Sequence, residues 1–266
     1  MKKLLTGLMV LALGASLASA AAMRPLYTME NAFPEQLHAD VGLTVLGFAL
    51  SDLPDGLDGK DCDIFLYDAH ARLGLADSLA LKVDLPFKTW DDTVNDEGGI
   101  SDLGLELQWL AWEDIFDYVW IIPHAKLYLP TGDEDKGLGV GETAAKLGIS
   151  VGTTVEDDWH FAIDASWIKT DLRDATNGQI EEHGAFLGSV FVGYDLFSDH
   201  LDGQGQIFAD GTYFAYSADP DEHGCARAHA GLSYTYDYGL TATIYAGGQS
   251  GDGEGGYGGI RLTYAF

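Results

Sequence analysis

Segments of about ten residues in which apolar and polar side chains alternate recur twelve times along the chain, and the last of them ends on Phe266. From Leu79 to Phe87, Leu79, Leu81, Val83, Leu85 and Phe87 share one parity, and Ala80, Lys82, Asp84 and Pro86 the other. A period of two makes such a segment a strand with one apolar and one polar face. A soluble sheet packed on a core alternates in the same way. Length and number argue for the membrane, because ~9–11 tilted residues cross the hydrocarbon of a bilayer. The predicted strands cover 39–50, 63–74, 78–89, 101–112, 117–130, 142–153, 158–169, 184–196, 204–217, 225–237, 239–249 and 256–266. An even count with alternating faces predicts an all-β fold, a 12-stranded antiparallel up-and-down transmembrane β-barrel.

The connections sort by length. Those at 51–62, 90–100, 131–141, 170–183, 218–224 and 250–255 are mostly long and rich in Gly and Asp, whereas Ala76-Asp77 and Tyr238-Gly239 mark tight turns. Long loops outside and short turns in the periplasm are the rule for bacterial barrels. Aromatic residues cluster near the expected interfaces: Trp109, Trp112, Tyr118, Trp120, Trp159, Tyr194, Tyr234, Tyr236, Tyr264 and Phe266 at the periplasmic ends, and Trp90, Trp167, Tyr216 and Tyr257 at the outer ends.

The amino terminus reads Met1-Lys2-Lys3, an apolar run from Leu4 to Leu17, then Ala18-Ser19-Ala20. This is the pattern of a cleaved secretory signal peptide over residues 1–21, too short for a lasting membrane helix. Residues 22–38, with Pro25 and Pro34 and no periodicity, form either a periplasmic lead-in or a short plug, and residues 39–266 the barrel. The expected location is the outer membrane of a Gram-negative bacterium.

Acidic residues outnumber basic ones by 42 to 14, and removing Lys2 and Lys3 widens the gap. Such a charge excludes nucleic acid as a partner. The acids gather in the loops: Asp52, Asp55, Asp58, Asp61 and Asp63, then Asp91, Asp92, Asp96 and Glu97, with further groups around Asp133, Asp171 and Asp219. They read as solvated loops or as carboxylates that bridge divalent cations to lipopolysaccharide. Lipid, lipopolysaccharide and a small-molecule solute are therefore the expected partners.

The polar parity of the strands defines the candidate pore lining: Asp68, His70, Arg72, Lys82, Asp84, Lys88, Asp102, Glu106, His124, Lys126, Lys146, Asp164, Asp210, Arg227, His229 and Arg261. Asp40, Gln108, Tyr128 and Gln206 share that parity. Acids and bases nearly balance there. Either they form a salt-bridged filling, as in eight-stranded barrels, or they line a narrow hydrated pore. Acids on strands 2–4 facing bases on strands 5, 6, 10 and 12 would set a transverse field across the bore.

Cys62 and Cys225 fall at the same rim, on strands that are not sequence neighbours. A disulfide would need a loop to fold across the mouth; two separate thiols are the alternative. Catalytic, metal-binding and cofactor signatures are not expected here. Gly251, Gly253 and Gly256 match G-x-G-x-x-G, but they sit in a hairpin with no strand-to-helix turn. A barrel phospholipase would need a Ser and a His in reach near the lipid side, and the register puts His70, His124, His160 and His229 inward.

The stretch Leu129-Pro130-Thr131-Gly132-Asp133, with Gly137-Leu138-Gly139-Val140-Gly141, resembles a segment of the outer-membrane channels named for the meta-pathway of phenol degradation. Leu81 to Phe87 and Gly99 to Leu103 resemble the segments that precede it there, so the likeness covers roughly 78–170. It implies a transporter-like barrel that passes small aromatic or other hydrophobic compounds. A lumen this charged fits small hydrophilic solutes equally well. A non-conducting barrel whose acidic loops bind surfaces is the rival.

Overall fold

The structure is a computed structural model, and it describes residues 36–51, 62–91, 96–115, 119–139, 141–156, 158–173, 180–197, 203–216, 225–251 and 254–266. The expected signal peptide, most of the lead-in, and the acids Asp52, Asp55, Asp58 and Asp61 of the first loop lie outside those residues.

The chain folds into a closed twelve-stranded antiparallel barrel. The strands are Ala39–Ser51, Cys62–Ala76, Leu79–Asp91, a fourth in three pieces, Val119–Leu129, Ala144–Val155, Trp159–Arg173, Ile180–Phe197, Gly203–Tyr216, Cys225–Tyr236, Leu240–Gly251 and Glu254–Ala265. The fourth strand comprises Asp96–Ile100, Leu103–Trp109 and Trp112–Ile115. Each strand pairs with its sequence neighbours, and the first pairs with the last from Asp40↔Ala265 to Ser51↔Glu254. The seam is finished by two backbone bonds, Phe266 N to Ala39 O (2.9 Å) and Ala39 N to Phe266 O (3.3 Å). The sheet thereby closes on itself.

Several strands outrun the predicted ends. The hairpin between strands 7 and 8 continues to Arg173 and Ile180, and that between strands 11 and 12 to Gly251 and Glu254. Glycine and aspartate in those stretches signalled loops, yet antiparallel pairing carries on above the membrane because each added pair keeps both backbones bonded.

The break in the fourth strand has a local cause. Pro86 in strand 3 brings no N–H to the ladder. Opposite it the chain leaves the sheet at Ser101-Asp102, with Ser101 N closing on Pro86 O at 2.8 Å.

The outer face of the barrel carries exposed Phe65, Tyr67, Leu85, Phe87, Leu107, Leu127, Leu147, Ile163, Val190 and Ile260. The interface aromatics divide: Trp109, Trp112, Trp159, Trp167, Tyr236, Tyr264 and Phe266 are exposed. Trp120 and Tyr257 instead are buried inside the barrel, and Trp90 is partly buried against an interior cluster, which corrects their assignment to the girdles. Their parity matches that of the inward residues: Trp120 leads Ile122, His124 and Lys126, and Tyr257 leads Arg261 and Thr263. The side chains of Tyr118 and Tyr216 lie outside the described residues.

Candidate functional site: the barrel interior

All sixteen candidate pore-lining residues turn inward and are buried inside the barrel. Strands 2–7 bring most of them into one polar lattice. Arg72 grips Asp40 through Nε and Nη2, both to Oδ2, at 2.7 and 2.6 Å. Asp84 takes Lys82 Nζ on Oδ1 (2.8 Å) and Lys126 Nζ on Oδ2 (2.6 Å). Glu106 Oε1 accepts from Gln108 Nε2 at 2.9 Å and lies 4.0 Å from His124 Nδ1. His124 Nε2 meets Asp164 Oδ2 at 2.7 Å. Arg261 Nη2 donates to His70 Nε2 at 3.0 Å, so that ring nitrogen carries its lone pair. These pairs bring opposite charges into direct contact.

The lattice is densely packed, with Lys82, Lys126 and Lys146 only 1–2% exposed. It also leaves acceptors over. Thr44 Oγ1, Asp68 Oδ1, Glu106 Oε2, Gln108 Oε1 and Tyr128 OH, all on strands 1–5, are buried without a hydrogen-bond partner. An unsatisfied buried polar atom costs ~1–3 kcal/mol unless water or a solute meets it.

Ser150, Ser166, His124 and Asp164 lie together, but both hydroxyls donate to Asp164, at 2.6 and 2.5 Å. The carboxylate thus collects serines and histidine alike, and neither serine is hydrogen-bonded to His124, the arrangement that nucleophilic catalysis needs.

Strands 8–12 and 1 carry a ladder of aromatic rings among their buried polar residues. Phe191 of strand 8 stacks with Phe208 of strand 9 (6.0 Å between centroids), and Phe208 meets His229 of strand 10 edge-on (6.2 Å). His229 contacts Tyr245 (5.1 Å) and Tyr257 (5.7 Å), and Tyr257 stacks on Phe48 of strand 1 (5.2 Å). Gly247 lets the wall close up here, since a Cβ there would run into Ala228 O and lie 2.5 Å from the Cβ of His229. Parity could have found these inward apolar residues. In strand 2 the series Arg72, His70 and Asp68 continues as Leu66, Ile64 and Cys62, where both parities are apolar and the alternation fades.

Cys62 and Cys225 are buried thiols and are not joined in a disulfide. Cys62 packs with Leu46, Phe48, Leu50, Ile64, Leu66 and Tyr257, and Cys225 with Ile168, Leu187 and Phe214. Strands 1, 12 and 11 stand between their strands.

The connection between strands 5 and 6 folds onto the inner face. Asp102, freed by the strand break, accepts from Gly132 N (3.0 Å), and Thr131 Oγ1 ties Ser101 O and Leu103 N (2.9 Å each). Lys88 Nζ donates to Gly137 O (3.2 Å) and Trp90 Nε1 to Lys136 O (2.9 Å). Leu138 is 2% exposed and its Cδ1 lies over Gly99, where a Cβ would be only 2.7 Å away. The sequence reading placed this segment in an outer loop; the structure folds it inward as a strap against strands 3 and 4.

A closed twelve-stranded barrel with a polar lattice, an aromatic wall and an inward strap has the fold of outer-membrane channels and translocators. No protein-family model matches the sequence, and no curated protein does. Among solved structures the chain is similar to an outer-membrane channel from Pseudomonas putida F1, at 14% identity and TM-score 0.65 over 86% of this chain and 96% of that one. It is similar to the NanC porin at 14% identity and TM-score 0.59, over 84% and 98% of the two chains. The translocator domain of the autotransporter NalP from Neisseria meningitidis matches at 13% identity and TM-score 0.57, over 97% and 99%. At these identities the likeness establishes the fold.

Proposed function

We propose that the protein is an outer-membrane channel for the passive passage of small solutes, narrowed by the strap at 130–143. The observation that carries this reading is the set of unpartnered buried acceptors from Thr44, Asp68, Glu106, Gln108 and Tyr128. A barrel that served only as a wall would gain by pairing or removing them, since a half-satisfied network is worse than an apolar core. A hydrated solute satisfies them in transit. The aromatic wall supports a finer reading, in which the solutes include aromatic compounds, as the resemblance to the meta-pathway channels implies. The interior offers such a molecule rings on one side and polar groups on the other.

Single-channel recording of the refolded protein in a planar bilayer tests this. Small, reproducible openings whose ion preference shifts toward cations in Lys126→Glu support the channel. A heat-modifiable barrel that stays silent at all voltages would sink it in favour of a structural or surface-binding role.

A further inference from the structure

Asp164 of strand 7 fixes which nitrogen of His124 carries the proton. Its Oδ2 lies 2.7 Å from Nε2. A carboxylate only accepts, so Nε2 of the neutral ring donates and the lone pair stands on Nδ1. Ser150 and Ser166 also donate to Asp164 and hold that acceptor in place. The ring seats over Gly148, where a Cβ would come within 2.5 Å of Cε1. Nδ1 is then 4.0 Å from Glu106 Oε1 on strand 4. Gln108, the cross-strand partner of His124, donates Nε2 to that same Oε1 at 2.9 Å. Three acceptor atoms are left here with no hydrogen-bond partner: His124 Nδ1, Glu106 Oε2 and Gln108 Oε1. Their residues are 6%, 0% and 0% exposed. Lone pairs gathered without a donor repel one another and call for a group that draws electrons between them.

We propose that His124, Glu106 and Gln108 form a binding site for a divalent transition-metal ion of the zinc class. The proposal rests on the channel reading for the route by which the ion arrives, and names a solute for it. One imidazole nitrogen with carboxylate and amide oxygens is a donor set that suits zinc better than calcium or magnesium, which take oxygen alone. The ion needs no chamber beyond the gap already present. Zinc bonds such atoms at ~2.0–2.2 Å, so a tetrahedral ion between Nδ1 and Oε1 needs them ~3.4 Å apart, a closure of ~0.6 Å. The bond from His124 to Asp164 is the outer-shell support that ligating histidines have: it holds the tautomer and makes the other nitrogen a better donor. No sequence motif marks the site, because its ligands meet across two strands.

The bases around the site set its strength. Lys82, Lys126 and Lys146 all act on Glu106. Lys82 and Lys126 are bonded to Asp84, and Lys146 stands level with Lys126 on strand 6. Their charge opposes a dication, and one histidine and one carboxylate are fewer strong ligands than a structural zinc has. The ion is therefore held loosely, as a pore requires of anything that must leave again.

The test is titration of the barrel in lipid nanodiscs with zinc against a chromophoric chelator, in excess Mg2+ to occupy the acidic loops. Wild type should bind a zinc ion that His124→Asn and Glu106→Gln do not. Asp164→Asn, which removes only the outer-shell partner, should weaken it ~10–100-fold. Gln108→Glu replaces an amide oxygen by a charged one and should tighten it, a gain that a purely structural network would not show. Zinc should also raise the urea midpoint of wild type and leave that of His124→Asn where it was.

The proposal is overturned if His124→Asn, still heat-modifiable, binds zinc as wild type does, or if Gln108→Glu leaves the affinity unchanged or lower. Should one of these variants not refold, the other decides; should neither, a wild-type urea midpoint indifferent to zinc overturns the site. No readout here requires conduction. A silent barrel with the His124-dependent zinc keeps the site and refutes the channel, and a conducting barrel without it does the reverse.

Discussion

Replacing Gly139 by alanine should unseat the strap and open the channel without altering any charge. A Cβ at 139 would press on Asp102 Oδ1 and lie 2.8 and 2.9 Å from the Cα and carbonyl carbon of Gly132. Separations under ~3 Å demand movement. Gly132 has little freedom to move, because its N–H is bonded to Asp102 and Thr131 beside it is stitched to both edges of the strand break. The strap must therefore lift. An added methyl in a close-packed site costs ~1–3 kcal/mol, equivalent to a ~5–150-fold shift from seated to lifted strap. Lifting also releases the Lys88–Gly137 bond and the buried Leu138. In planar bilayers the fraction of time spent in the largest conductance level should rise by that factor, or saturate, with ion preference unchanged. Asp102→Ala should act in the same direction through the lost Gly132 acceptor, whereas Asp102→Asn keeps an acceptor oxygen and should act less. If refolded Gly139→Ala shows wild-type conductance and open times, the strap does not control the bore and the reasoning fails.

Breaking the buried Arg72–Asp40 pair by Asp40→Ala should cost ~3–5 kcal/mol in urea-induced unfolding; the double variant Asp40→Ala/Arg72→Met should recover most of this. A recovery of nothing would show that the two residues act independently. Both cysteines should react with a thiol reagent only after denaturation, and the folded protein should migrate identically on reducing and non-reducing gels. Trp90→Phe keeps the ring and deletes the N–H that holds Lys136 O, so it should raise the open fraction by only a few-fold, measured as for Gly139→Ala. Deleting Phe266 removes both seam bonds to Ala39 and should slow assembly into the heat-modifiable form, followed by gel shift over time.

The barrel was legible because its signal is repeated: a period of two, applied twelve times, survives local ambiguity. The charged half of the interior was legible for the same reason, since Lys82, Glu106 or Lys126 facing lipid would be prohibitive and parity then fixes where each side chain points. The aromatic half was hidden by the same rule. An apolar residue on the inward parity, such as Ile64, Phe208 or Phe214, looks like a lapse in alternation when inside is equated with polar. Trp120 and Tyr257 sit near strand ends, where a girdle is the default expectation, yet their parity assigns them to the interior. The strap was not legible, because it depends on contacts between the connection and strands 3 and 4. Asp102 reaches Gly132 and Lys88 reaches Gly137 only once the strand breaks opposite Pro86, and no periodicity encodes that. The cysteines illustrate the reverse error: a shared rim is a height along the axis, while the distance round the wall is set by strand order.

The aromatic ladder running along strands 8, 9, 10, 12 and 1, set apart from the ion-paired lattice of strands 1–7, bears on how a molecule would travel. A bore lined uniformly sorts its traffic by size or by sign and is indifferent to which way a solute is turned. A two-sided slot constrains rotation about the axis: a molecule with one wet and one greasy flank fits in a single attitude, and a molecule uniform all round fits in none. Selectivity would then be a property of how polarity is distributed over the solute, and two isomers of equal mass, charge and hydropathy would pass at different rates.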